Sequence, residues 1–300
     1  MPRLMSALFA LFLVIALHSS AFAADTPKVL RFGLLPAEDA SNMVKDFSGI
    51  ADHVGKAVGL PTSVQVSQSY NALIEALRAG HLDVVYVGGG QYVAAREQGI
   101  DVVPLVLAVD DTGRTYYKAA IIVAADSDIK TLKDLKDKTF AFGAPTSTSG
   151  GVGPRFFLLK QGIDPERDFK RVIYAGKHDS ALLAVLNKKV DAGAVGDVYF
   201  PRWKERKLIN YSEYIENENL LKDSNIRILG AQKVPGTPMI ARGALGPEMI
   251  EKIRKAFEST PKDVLSHYRI WGPLVGFRAT SPQEFDELAE MEHLAKTLKK

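Results

Sequence analysis

The sequence predicts an α/β protein of two lobes, each a mainly parallel sheet flanked by helices, on three observations. From Lys28 to Val109, short apolar runs alternate with amphipathic helical stretches, the βαβ order that builds a parallel sheet. After a turn-rich break at Asp110 to Arg114 the same alternation starts again. Finally, YNALIEALRAGHLDVVYVGG (Tyr70 to Gly89) and HDSALLAVLNKKVDAGAVGD (His178 to Asp197) echo each other. Each has an apolar helix, a basic turn, then Leu-Asp or Val-Asp ahead of a strand and glycine. Two lobes sharing one βαβ logic produce such an echo.

Element by element, Lys28 to Leu34 reads as the first strand, bounded by Pro36. Asn42 to Val58 is helical, with Met43, Phe47, Ile50, Val54 and Val58 on one apolar face and Gly59 as its cap. Ser63 to Val66 is a strand, Tyr70 to Ala79 a helix stopped by Gly80, and Leu82 to Val87 a buried strand running into Gly88-Gly89-Gly90. No GxxxxGK follows, so these glycines are expected to permit close backbone approach rather than to hold a nucleotide. Gln91 to Gln98 is helical and Val102 to Val109 a strand, so the first series reads as one parallel sheet. The second series runs Tyr116 to Ala124 (strand), Leu132 to Leu135 (helical), Thr139 to Phe142 (strand) and Arg155 to Gln161 (helix). Arg171 to Tyr174 (strand), Ser180 to Asn187 (helix) and Ala192 to Val195 (strand) follow. Tyr199 to Leu221 is polar and partly helical, with the basic run Arg202 to Lys207 expected on a solvated face. Asn225 to Ala231 is the strand leading back. Pro247 to Ser259, Pro261 to Tyr268 and Pro282 to Leu298 are read as mostly helical, each proline near a helix start, where it is tolerated.

Residues 1–23 have the form of an export signal: Arg3, an apolar Ala7 to Leu17, and Ala21-Phe22-Ala23 before the cleavage point. The chain carries 38 basic and 35 acidic side chains, a balance that gives no reason to expect nucleic acid or a membrane surface as partner. It has no cysteine, which excludes disulfides, thiolate metal sites, a cysteine nucleophile and a lipid-modified cysteine anchor. His53, His81, His267 and His293 lie on expected helices without metal-ligand spacing and are read as surface residues; no metal or cofactor is expected.

The most chemically informative stretch is Phe142 to Pro154 (FGAPTSTSGGVGP), where a strand turns into a helix through Ser147, Thr148 and Ser149. The first N–H groups of a helix have no intrahelical acceptor and lie at its positive dipole end. Hydroxyls add donors there, and glycines admit close approach, a combination suited to a small oxyanion. A capped Gly-rich turn is the plainer alternative. In open α/β sheets ligands sit outside the carboxyl ends of strands, where the expected loops are Leu35 to Asn42, Ser67 to Tyr70, Gly88 to Tyr92, Pro145 to Ser149, Gly176 to Asp179 and Gly196 to Tyr199.

Taken together, RFGLLP (31–36), SYNALIEALRAGHLDVVYVGG (69–89), TYYKAAIIV (115–123), GAPTSTSGG (143–151), AGKHDSALLAVLNKKVDAG (175–193), VPGTP (234–238) and FRATSPQEFDEL (277–288) resemble the periplasmic substrate-binding proteins of phosphonate/phosphite-type ABC transporters. The resemblance implies the two-lobed type II periplasmic-binding fold with a hinged cleft, residues 24–116 and 232–300 in one lobe and 117–231 in the other. It implies a monomeric periplasmic receptor that delivers a small phosphorus oxyanion to a membrane permease with its cytoplasmic ATPase. By the same resemblance Ser147, Thr148 and Ser149 grip the oxyanion, Tyr70 and Tyr117 donate from the facing lobe and the hinge, and His178 completes the shell. Asp197 lies near the far end of the ligand. Tyr116 is the register alternative to Tyr117, since adjacent strand residues face opposite sides. At Thr237 the chain departs from the acidic residue of relatives that bind aminoalkylphosphonates, which favours phosphite, methylphosphonate or phosphate. A sensor subunit signalling to a membrane kinase is the alternative function. A hydrolase built on Ser147 or Ser149 with His178 and Asp179 is disfavoured, because there is no Gly-x-Ser-x-Gly elbow and sequence neighbours do not line up as base and orienter.

Overall fold

A computed structural model describes residues 27–268 and 274–297; the expected export signal lies outside the described residues. Chain order gives β1 (Leu30–Leu34), α1 (Ala40–Val58), β2 (Thr62–Val66), α2 (Tyr70–Arg78), β3 (Val84–Tyr86), α3 (Gly89–Glu97) and β4 (Val102–Asp110). The second unit has β5 (Tyr116–Ala124), β6 (Thr139–Phe142), α4 (Gly153–Lys160), α5 (Pro165–Asp168), β7 (Arg171–Tyr174), α6 (His178–Leu186), β8 (Ala192–Gly196) and α7 (Phe200–Glu205). The small hairpin β9 (Tyr214–Ile215) and β10 (Leu220–Leu221) follows, then β11 (Ile226–Pro235), β12 (Pro238–Arg242), α8 (Pro247–Glu258), α9 (Lys262–Leu265), β13 (Leu274–Ala279) and α10 (Asp286–Thr297).

Two sheets form the lobes, ordered β13-β4-β12-β3-β1-β2 and β11-β5-β8-β6-β7. The chain crosses between them after β4 and again between β11 and β12, at Gly236 and Thr237. Gly236 is held there by its N–H donating to the Thr115 carbonyl at 2.9 Å, an approach that a Cβ, 2.4 Å from that oxygen, would block. The expected parallel run β1 to β4 is corrected: β12 lies antiparallel between β3 and β4, so β4 does not adjoin β3. A five-residue strand whose partners lie far back in the chain leaves no local signal of where it inserts. Likewise β13, antiparallel to β4, falls between two stretches read as helical, where no strand was expected.

Helix α1 shows how sequence becomes structure locally. Asp39 accepts from the Asn42 N–H at its start, and Gly59 ends it in the left-handed conformation (φ 78°). Between these caps Met43, Phe47, Ile50 and Val54 are fully buried against the first sheet. The echo of the two lobes is structural too. One sequence spacing separates Tyr70 from His178, Gly80 from Lys188, Asp83 from Asp191 and Gly88 from Gly196. Gly80 and Lys188 both take positive φ as α2 and α6 end, and the next residue of each donates to a helix carbonyl at 2.8 Å. Asp83 then accepts from the Arg31 N–H at 2.9 Å and Asp191 from the Thr139 N–H at 2.7 Å, each clamping the start of the neighbouring strand.

Candidate functional site

Four helical segments begin at one place between the lobes. Tyr70 is the first residue of α2, Gly89 of α3 and His178 of α6, while Thr148 opens a π turn (Thr148–Val152) that leads into α4. Their N-terminal dipole ends make the region electropositive without a formal charge. The site residues expected from sequence are all buried there: Tyr70, Tyr117, Ser147, Thr148, Ser149, His178, Asp197 and Thr237.

The hydroxyls form an interlocked set. Tyr70, from the first lobe, hydrogen-bonds Ser147 of the second, and Tyr117 meets Ser149, Thr148 and Thr237. Ser147 Oγ also accepts from the Gly150 N–H at 3.1 Å, capping the turn. Thr148 Oγ1 accepts from the Gly90 N–H at 3.0 Å across the cleft, and the His178 N–H donates to the Ala37 carbonyl at 3.3 Å. The lobes are therefore closed on one another. The glycines act as expected, since a Cβ on Gly88 would lie 2.8 Å from Thr148 Oγ1 and one on Gly196 2.9 Å from Ser149 Oγ. Gln91 secures the entry to α2 by accepting from the Gly88 N–H and donating to the Tyr70 carbonyl.

Burial governs the electrostatics. It raises the pKa of Tyr70 and Tyr117, keeping both as neutral donors. It pushes His178 down to about 3, so the imidazole is neutral, and its Nδ1 is buried with no hydrogen-bond partner. Asp197 is raised by burial, although its Oδ1 accepts from the Lys118 N–H at 2.8 Å and its Oδ2 from Tyr214 at 3.0 Å. The first bond ties it to β5 at the residue after Tyr117 and the second to β9. Tyr116 instead stacks under Lys233, whose Nζ is 3.7 Å from the ring centre, so Tyr117 is the tyrosine in the cluster. His53 is half-buried, its Nε2 3.0 Å from the Ala256 carbonyl, whereas His81, His267 and His293 are exposed.

Two features escaped the sequence reading. Tyr199 is buried, stacks on His178 at 4.5 Å between ring centres, and has its ring edge 3.2 Å from the Cβ that Gly196 lacks. It belongs to the same cluster and occupies the position equivalent to Gln91 in the lobe echo. The second is a correction to the basic run Arg202 to Lys207: Arg202 is not on a solvated face but buried, between Glu38 and Asp46 of the first lobe. Only the geometry of closure brings these residues together. Asp179 faces Trp203 and Arg206. Tyr70 also lines a cavity of about 400 Å³ between the lobes, with Pro36, Asn71, Ala144, Thr146 and Lys177.

The fold and this buried ring of neutral donors define a two-lobed substrate-binding protein. A family model described as the periplasmic substrate-binding protein of phosphonate ABC transporters matches residues 32–285, and the chain belongs to that family. It is 29% identical over 288 residues to the phosphonates-binding periplasmic protein of Escherichia coli, covering 90% of this chain and 78% of that one. It is 28% identical over 247 residues to the phosphate-import protein PhnD of Mycolicibacterium smegmatis, covering 79% and 74% respectively. Among solved structures, PhnD1 from Prochlorococcus marinus in complex with methylphosphonate has the same fold, with a TM-score of 0.75 at 20% identity over 90% of this chain and 99% of that one.

Proposed function

We propose that this protein is a periplasmic receptor that closes its two lobes around a small phosphorus oxyanion and presents it to an ABC-transporter permease. Phosphite, methylphosphonate and phosphate are the favoured ligands. The observation that carries this reading is the convergence of Tyr70, Tyr117, Ser147, Thr148, Ser149 and His178 at the N-termini of helical segments from both lobes. Neutral donors and dipole ends stabilise an oxyanion there, and the donors come from both sides of the cleft, so gripping it requires closure.

Thr237 spends its hydroxyl on Tyr117, and Asp197 is bonded on both oxygens, which leaves no built pocket for an amine. Every donor of the cluster is neutral, so a singly ionised phosphorus anion sits there with less uncompensated loss of hydration than the doubly charged sulfate. Binding rather than hydrolysis is supported by Asp179, whose carboxylate serves Trp203 and Arg206 and so does not orient His178. Calorimetry with phosphite, methylphosphonate, phosphate and sulfate tests the proposal. At least one phosphorus anion should bind far more tightly than sulfate, and equal or absent binding of all four overturns it.

A further inference from the structure

Away from the hydroxyl cluster, one contact between the lobes is made by five charged groups. Glu38, in the loop after β1, and Asp46, on α1, belong to the first lobe; Asp179, on α6, Arg202, on α7, and Arg206, just past it, belong to the second. Arg202 Nε lies 2.9 Å from Glu38 and its Nη1 2.8 Å from Asp46. Arg206 lies 2.9 Å from Asp179 and 3.7 Å from Glu38. Three carboxylates thus share two guanidiniums, and the cluster with every group ionised is one negative charge in excess. The Glu38 side chain is fully buried, while Asp46 and Asp179 keep some exposure. Neither Glu38 oxygen has a hydrogen-bond partner, because Arg202 approaches close but off the hydrogen-bond direction. A charge in that position loses its hydration without full compensation.

We propose that this cluster is a closure latch whose assembly takes up one proton, held on Glu38, so that lowering the pH favours the closed form. Parting the lobes separates Glu38 from Arg202 and Arg206 and returns it to water, where it ionises as an ordinary carboxylate. Closing buries it beside Asp46 and Asp179, two further negative charges, with Tyr199 packed near on its second-lobe side. Burial then pushes Glu38 up to about 7 from its ordinary 4.5, with Arg202 and Arg206 opposing and Asp179 and Asp46 adding to the rise. The sign follows from linkage. The closed form binds the extra proton, so closure gains as pH falls from about 7 towards 4.5 and is constant below and above that window. Tyr199 stacks on His178, which places the latch one aromatic layer from the candidate anion site.

The test uses the absence of cysteine in the chain. Lys56→Cys and Lys189→Cys place one fluorophore on each lobe at exposed positions, so energy transfer reads lobe separation. In the ligand-free protein the closed-to-open ratio should rise, from pH 8 to 5.5, on the order of tenfold more in the wild type than in Glu38→Gln, in which His178 and the other cleft groups titrate alike. Identical pH profiles in the two proteins overturn the latch. Methylphosphonate supplies a second arm, which rests on the receptor reading: its affinity should strengthen on the order of tenfold more in the wild type than in Glu38→Gln over the same range. A wild type that binds no methylphosphonate counts against the receptor reading, while the ligand-free arm still decides the latch. Should Glu38→Gln fail to fold, a carbon-13 titration of the wild-type Glu38 carboxyl in protein held closed by saturating methylphosphonate decides instead. A midpoint near 7 supports the latch and one near 4.5 overturns it.

Discussion

Closure and folding separate cleanly at Gly90. Its φ is not positive, and it lies within α3, so alanine fits its backbone and favours the helix by about 0.5–1 kcal/mol. The obstacle lies in the other lobe. A Cβ at Gly90 would stand 2.8 Å from the Thr146 carbonyl oxygen and 3.2 Å from Val152 Cγ2, with the Thr148 nitrogen at 3.6 Å. The first of these is backbone within the Ser/Thr turn and gives way only if the lobes stay apart by several tenths of an ångström. Overpacking of that size costs about 1–3 kcal/mol, and it is levied only on the closed form. The same displacement stretches the Gly90 N–H to Thr148 Oγ1 bond. Gly90→Ala should therefore leave the ligand-free melting temperature unchanged or slightly raised, and weaken methylphosphonate binding about ten- to a hundredfold. Calorimetry and thermal denaturation on one preparation read both. Unchanged affinity would show that gripping does not need this closed contact. A large fall in melting temperature would show that the lobe contact supports folding rather than ligand capture.

Further outcomes follow from the same geometry. Ser149→Ala and His178→Ala should each weaken oxyanion binding by about 1.5–3 kcal/mol, the scale of hydrogen bonds to charged groups; calorimetry showing neither effect removes this turn from the site. Asp83 accepts from the Arg31 N–H, two Arg31 guanidinium nitrogens and Arg242 Nε with its side chain fully buried, so Asp83→Asn should cost about 3–5 kcal/mol in urea denaturation. Its counterpart Asp191 is exposed and serves only Thr139, so Asp191→Asn should cost about 1 kcal/mol in the same assay. His178, depressed to about 3, contributes stability present above its unfolded value of about 6.5 and lost as pH falls towards 3. At pH 5 that loss reaches about 2 kcal/mol at most in the ligand-free protein. His178→Asn should flatten the acid decline of the melting temperature, and an unaltered decline would place the titrating groups elsewhere.

How much of this was legible in the sequence depended on whether the signal was local. The strands Tyr116–Ala124, Thr139–Phe142 and Arg171–Tyr174 sit at the bounds that their apolar runs define, and α1 ends at the glycine that its pattern marks. The Ser/Thr turn was visible because helix-start chemistry is written in adjacent residues. By contrast, β12 takes its place through pairing with β3 and β4, distant strands that no window around Pro238 contains. Glu38 and Arg202 are each ordinary surface residue types, and only lobe closure buries them together. Tyr199 is the instructive omission, because a signal did exist. The spacing that relates Tyr70 to His178 also relates Gln91 to Tyr199, and each second member braces the first: Gln91 bonds the Tyr70 carbonyl, and Tyr199 stacks on the His178 ring. Extending the echo by two residues past Asp197 reaches Tyr199. A fold that repeats one βαβ unit puts the same supporting position beside each helix start at the cleft, so a repeat in sequence predicts the cluster's supports as well as its lobes.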